Sequence, residues 1–221
     1  MASASTPYVH IYKRNGDALE KLGNPASLPT GNGYCTGWSP DGTYLIVGHA
    51  GTPFLSIYKR SGDTFTKLAN PSSLPAGPVY SVAFNPAGDI LTIGMNATPY
   101  INSYRCGGDT FTKMAAVDVL PTGTVGSIGY DISGKFVFCG GPKLLIYKLD
   151  GERFVMQQSP SVVPASNASG LSVSPDGQYM ASGGDSTPYI FIYAGRSYNP
   201  ETEFGVPVVS ASPGLSAFIK A

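Results

Sequence analysis

The sequence predicts an all-β fold of repeated four-stranded antiparallel units, and three observations carry that prediction. One segment recurs along the chain, each recurrence holds four short apolar runs, and turn residues bound every run. The first four repeats of the segment read TPYVHIYKRNGDALEKL, TPFLSIYKRSGDTFTKL, TPYINSYRCGGDTFTKM and PKLLIYKLDGERFVM, and the fifth reads TPYIFIYAGRSYNPETEF. Tyr12, Tyr58, Tyr104, Tyr147 and Tyr193 share one position in it, at intervals of 46, 46, 43 and 46 residues. Between them lie GYCTGWSPDGTYLIVGH, VYSVAFNPAGDILTIGM, VGSIGYDISGKFVFCGG and GLSVSPDGQYMASGGD. No stretch has a helical period.

The turns justify the strand boundaries one by one. Asn15-Gly16, Ser61-Gly62, Gly107-Gly108 and Asp150-Gly151 supply the positive-φ residues that tight hairpins need. Ser39-Pro40-Asp41-Gly42 and Ser174-Pro175-Asp176-Gly177 put proline and glycine where a β-turn wants them. A unit of about 45 residues with four antiparallel strands cannot bury both faces alone, so copies must stack, and radial stacking gives a β-propeller. The ends set the expected number of blades. PYVHIYKRNGDALEKL supplies a third and a fourth strand without the first two, and VVSASPGLSAFIKA after Tyr193 supplies an inner pair, Ser212-Pro213-Gly214 being a shortened Ser-Pro-Asp-Gly turn. The expectation is therefore a single domain over residues 1–221, a five-bladed β-propeller of four-stranded antiparallel blades, closed by a blade shared between the N- and C-termini.

Small residues fit converging inner strands. Gly37, Ala83, Gly129, Ser172 and Ser210, with Cys35, Ser81, Ser127, Gly170 and Val208, alternate with Thr36, Val82, Ile128, Leu171 and Val209. The small set is expected to line a narrow central channel. The large set, with Trp38, Phe84 and Tyr130, is expected to pack between blades.

Composition excludes several function classes. The chain has 221 residues, and 14 Lys+Arg balance 14 Asp+Glu. That neutrality offers no footprint for nucleic acid or an anionic membrane. The 28 glycines and 19 prolines make it dense in turns, while 42% hydrophobic residues supply a core. No apolar run approaches membrane-helix length, and the N-terminus has no secretory pattern, so a soluble, non-exported protein is expected. Cys35, Cys106 and Cys139 lack paired spacing and read as reduced thiols packed as small hydrophobes.

VYSVAFNPAGDILTIG, and SPDG followed by an apolar strand ending in glycine, resemble WD-repeat propellers, with Ile-Tyr in place of the usual Trp-Asp. The tandem TPY-x-x-IYKRSGDTFTKL units resemble the WD-like repeats of structural and tail-associated proteins of bacterial viruses. The resemblance spans essentially the whole chain, with departures at the three-residue deletion before Pro142, the loss of Lys-Arg after Tyr193 and the short connection to Val206. It implies a virion component, assembled in the host cytoplasm, that attaches to capsid, neck or tail proteins.

The residues offer no catalytic signature. Of the two histidines, His10 sits in a strand position held elsewhere by Ser56, Asn102, Leu145 and Phe191, and His49 stands at a strand end where the next repeat has Met95. Asp17, Asp63, Asp109 and Glu152 fall in one hairpin loop, and Asp41 and Asp176 in the other, where turn formation explains them. Lys13-Arg14 and Lys59-Arg60 read as a solvated strand edge. No metal or cofactor motif is present, and the chain is expected not to be an enzyme. Recognition is expected on the face opposite the hairpin turns, where the connections 23–33, 69–78, 115–124 and 158–168 and the loops 48–52, 94–98 and 183–187 vary between repeats. Candidate binding residues there are Asn32, Tyr34, His49, Met95, Asn96, Asn167 and Asp185. An alternative is a multivalent carbohydrate-binding module with one weak site per blade, taking host-surface glycans. A propeller lactonase or glycosidase is the least supported reading.

Overall fold

The structure, a computed structural model, describes residues 1–160, 162–164 and 167–194. All regular elements among them are strands. β1 (Tyr12–Asn15) and β2 (Ala18–Lys21) form a hairpin. β3 (Gly33–Trp38), β4 (Tyr44–His49), β5 (Leu55–Ser61) and β6 (Thr64–Lys67) form a four-stranded sheet in chain order. The same meander recurs in β7 (Val79–Phe84), β8 (Ile90–Met95), β9 (Ile101–Gly107) and β10 (Thr110–Lys113). It recurs again in β11 (Ser127–Tyr130), β12 (Phe136–Gly140), β13 (Leu144–Asp150) and β14 (Arg153–Met156). β15 (Ala168–Val173), β16 (Tyr179–Gly184) and β17 (Ile190–Ala194) form a three-stranded sheet. All pairings are antiparallel.

The leading strands β3, β7, β11 and β15 lie beside one another in that order, so successive sheets stack about their first strands as propeller blades do. The core is accordingly divided into layers between sheets. Ile46, Leu55 and Ile57 pack on Leu91, Ile93 and Tyr104; Ile90 and Ile101 pack on Val137, Tyr147 and Phe154; Phe138, Leu144 and Ile146 pack on Met180, Phe191 and Tyr193. Leu45 and Val47 turn the other way, onto Val9 and Ile11 of the N-terminal segment. Strand alternation thus buries both faces of β4, which is why its sequence YLIVGH is an unbroken apolar run rather than an alternating one.

The hairpins form as their sequences require. Gly16, Gly62, Gly108 and Gly151 have φ between 58° and 61°, the left-handed region that a side chain disfavours. In the other turn, the first residue bonds the backbone N–H five residues on: Tyr44 N donates to Ser39 Oγ (2.8 Å), Ile90 N to Asn85 Oδ1 (3.0 Å), Phe136 N to Asp131 Oδ1 (2.8 Å) and Tyr179 N to Ser174 Oγ (2.9 Å). Asp41 caps the same turn from inside, accepting from Ser39 Oγ, Thr43 N and Thr43 Oγ1, and those bonds hold its carboxyl down at about 2. The carboxylates of the hairpins closed by Gly62, Gly108 and Gly151 do more than shape a turn. Lys13 Nζ meets Asp63 at 2.8 Å, Lys59 Nζ meets Asp109 at 2.8 Å, and Arg105 meets Glu152 at 3.0 Å, each pair joining one sheet to the hairpin of the next.

The recurring tyrosine is a pin. Tyr58, Tyr104 and Tyr147 are buried, and their hydroxyls donate to the carbonyls of Ser27 (2.9 Å), Ser73 (3.1 Å) and Val119 (2.9 Å), in the connections that lead into their own sheets.

The small residues of the leading strands stand where neighbouring leading strands converge, and one expectation about packing is corrected, at Trp38. Cys35 Sγ lies 3.7 Å from the Val79 carbonyl, Ser81 Oγ donates to the Val125 carbonyl at 3.3 Å, and a Cβ on Gly37 would stand 2.8 Å from Val82 Cγ2. Trp38 is 45% exposed, touching Phe65 edge-on, because the sheet surface it belongs to looks back toward the N-terminal hairpin. The expected pairing of the chain from Val206 onward with β1 and β2 lies outside the described residues, as do Ser210, Val208, Val209 and Tyr193's following segment.

Candidate binding face

Antiparallel order puts both hairpin types at one end of each four-stranded sheet, so the long connections and the loops after β4, β8, β12 and β16 share the other end. There they are tied together. Ala50 N donates to the Asn32 carbonyl (2.9 Å), Thr30 Oγ1 to the Thr52 carbonyl (2.6 Å), Asn96 N to the Pro78 carbonyl (3.2 Å), and Asn167 Nδ2 to Asp185 Oδ2 (2.9 Å). Each Thr-Pro-aromatic turn closes locally, with Phe54 N donating to the Gly51 carbonyl and Tyr100 N to the Ala97 carbonyl. Phe54 and Tyr100 adopt φ of 67° and 66°, a conformation strained for an aromatic residue and held in equivalent repeats. A surface cross-linked in this way is a fixed platform.

Asn32, Tyr34, Asn96, Asn167 and Asp185 are exposed on this face. His49 and Met95 are not: both are fully buried. The strands run through them, pairing Gly33 with His49 and Val79 with Met95, so their side chains belong to the interior. His49 Nε2 lies 3.1 Å from Ser56 Oγ, and burial pushes the imidazole down to about 4, which keeps it neutral. Met95 packs with Ile93 and Leu91. Neither side chain can meet a ligand on the platform.

The structure adds a residue that sequence reasoning passed over. The pairing of β3 with β4 slips between Gly33 and Cys35, and that of β7 with β8 slips between Val79 and Ser81, leaving Tyr34 and Tyr80 as the extra residues of two β-bulges. Their rings stack, 4.6 Å between centroids and 7° between planes. Tyr34 is 42% exposed and Tyr80 partly so. Desolvation, then the neighbouring Tyr34, raises the Tyr80 phenol above its ordinary value. The signal was available: GYCTGW and VYSVAF place the two tyrosines at one repeat position.

The platform is nearly uncharged. Among the described residues, its connections and loops carry Lys143, Asp118 and Asp185. Asp118 Oδ1 accepts from Val119 N (2.9 Å) and Met156 N (2.7 Å), and Asp185 accepts from Asn167. At the outer rim Lys21 and Lys67 donate to Asn24 and Asn70. Among the described residues no three His, Cys, Asp or Glu converge as a metal site. Burial raises the Cys35 and Cys106 thiols to about 12 and pushes Cys139 up as well, so none is poised as a nucleophile.

Residues 161–191 match the family model described as WD domain, G-beta repeat, one repeat's worth of the chain. No curated protein matches it. Among solved structures, it is similar to a "putative 6-phosphogluconolactonase" from Bacteroides fragilis, 17% identical with a TM-score of 0.64, covering 85% of this chain and 60% of that one. A protein of the same name from Bacteroides uniformis is 13% identical with a TM-score of 0.62, covering 85% of this chain and 61% of that one. The chain therefore spans less than two thirds of the length of either. The expectation of a protein without enzymatic activity is overturned by this finding, because both structures of like fold are named as enzymes. What the likeness shows for the chain itself is its architecture: a WD-like, propeller-type array of antiparallel sheets.

Proposed function

We propose that the chain is an attachment propeller, a component of the virion of a bacterial virus that holds a capsid, neck or tail protein on its loop platform. The observation that carries this reading is the platform itself: variable, nearly uncharged loops cross-bonded on a rigid scaffold, opposite a face of short repetitive turns. The tandem TPY-x-x-IYKRSGDTFTKL units support the viral setting. We read the array as five blades. Among the described residues β1 and β2 have no inner pair and β15–β17 no fourth strand, and Ile190 and Ile192 leave apolar surface at that end, while the sequence from Val206 onward offers two further apolar runs. A blade shared between the termini would complete both.

Co-sedimentation with assembled particles is the test. The full chain is expected in the particle fraction, and exchanging the exposed Asn32, Leu74 and Asn96 for alanine is expected to release it without changing its melting temperature. A chain absent from particles and unable to bind their isolated proteins would sink the reading.

The named function of the two structural neighbours favours lactone hydrolysis as a second reading. The platform's few basic groups suit an uncharged lactone better than a phosphorylated one. Turnover of δ-gluconolactone above the buffer rate, with a slower rate on its 6-phosphate, is what this reading expects.

A further inference from the structure

We propose that Tyr34 and Tyr80 form a binding site for the flat face of a neutral pyranose sugar, seated against Tyr80 on the side of Gly126. The site goes beyond the attachment reading and does not rest on it.

The two rings stand on β-bulges, which re-aim a side chain out of the alternation of its strand. They lie parallel on the loop platform and are partly open to solvent. The same repeat position runs Tyr34, Tyr80, Gly126, Ser169 through successive sheets, and Ser169 is itself a bulge residue. The row of rings therefore stops at Tyr80. Beyond it a Cβ placed on Gly126 would meet no atom within 4 Å, and one on Gly170 would meet none either. One side of the row is thus open, with an aromatic ring as its wall.

The surroundings select the ligand. A ring wall asks for a partner with one flat, weakly polar C–H face. Asn32, Asn96 and Ser169, exposed on the same platform, ask for a rim of hydroxyls. The two carboxylates of the described platform are already engaged, Asp118 by two backbone N–H groups and Asp185 by Asn167, and Lys143 is the one basic side chain within its loops. A charged sugar or nucleotide would find Lys143 as the single basic side chain of those loops and no free carboxylate among the described residues there. A neutral pyranose meets each requirement. Because just two repeats carry the tyrosine, the chain would hold one such site, where one per blade was the expectation for a glycan-binding propeller.

The test is saturation-transfer-difference NMR on the full chain, with the methyl glycosides of glucose, galactose, mannose and N-acetylglucosamine as probes. At least one glycoside is expected to receive transfer, strongest on the protons of a single ring face. Tyr80→Ala is expected to weaken that binding about tenfold, and Tyr80→Phe to retain it. Gly126→Tyr is expected to abolish it at an unchanged melting temperature, by continuing the row of rings into the open side; it serves as the deciding variant if Tyr80→Ala fails to fold. No transfer to any of the four probes would overturn the proposal. So would binding that survives both Tyr80→Ala and Gly126→Tyr, or a site that takes a polyproline peptide and no glycoside.

Discussion

Tyr104 shows how a single hydroxyl sets the spacing of a repeat. Its ring fills the layer between sheets, and its O–H reaches the Ser73 carbonyl at 3.1 Å. Tyr104→Phe keeps the packing and leaves that carbonyl without its donor, so a loss of about 1 kcal/mol is expected. Thermal unfolding should register it as a fall of about 2–4 °C. His49 is the other informative residue. Its imidazole is buried and held near 4, against 6.5 when free. The unfolded chain takes up its proton first as the pH falls, so stability is full above about 6.5 and is lost progressively toward pH 4, by up to about 3 kcal/mol. Met95 fills the equivalent site in the next repeat. His49→Met is therefore expected to fold and, in urea titrations across that window, to gain on the wild type as the pH drops. A difference that stays constant from pH 7 to pH 4 would contradict the assignment.

At the scale of the strand, β4 and β8 carry a glycine just before their last residue because another backbone passes there. A Cβ on Gly48 would stand 2.7 Å from the Val79 carbonyl oxygen, and one on Gly94 would run into the Val125 carbonyl and Val125 Cγ1. Neither glycine has a positive φ, so space alone excludes a side chain. Gly94→Ala should cost about 1–3 kcal/mol through displaced backbone, whereas Gly62→Ala at a hairpin tip should cost less, since it is limited by φ and meets no neighbour. A urea midpoint for Gly94→Ala within error of wild type would refute the close approach. The hairpin ion pairs work at the same scale. Lys13–Asp63 and Lys59–Asp109 are about half exposed, so they fix the register of neighbouring sheets more than they stabilise them.

For the whole molecule, each layer of core lies between sheets, so no sheet is stable without its neighbours. If the termini share a blade, removing residues 215–221 should lower the melting temperature and drive aggregation, since Trp38 at one end and Ile190 and Ile192 at the other would lose their cover. Size-exclusion chromatography reads the outcome directly. A truncated chain that stays monomeric and melts where the full chain does would mean that the ends close some other way.

The repeats, the strands, both hairpin chemistries and the platform end were legible from residues alone, because local turn preferences and apolar runs specify them without reference to distant parts of the chain. Asn32, Asn96, Asn167 and Asp185 were correctly placed on the platform for the same reason. His49 and Met95 were misplaced because a strand that is buried on both faces loses the alternation that would have shown which way its last residue points. Only the tertiary structure decided that the small residues meet the next leading strand, that the hairpin carboxylates reach across to neighbouring sheets, and that two one-residue slips bring Tyr34 and Tyr80 ring to ring. Each of these depends on the distance between segments more than 40 residues apart, which packing sets and local sequence does not.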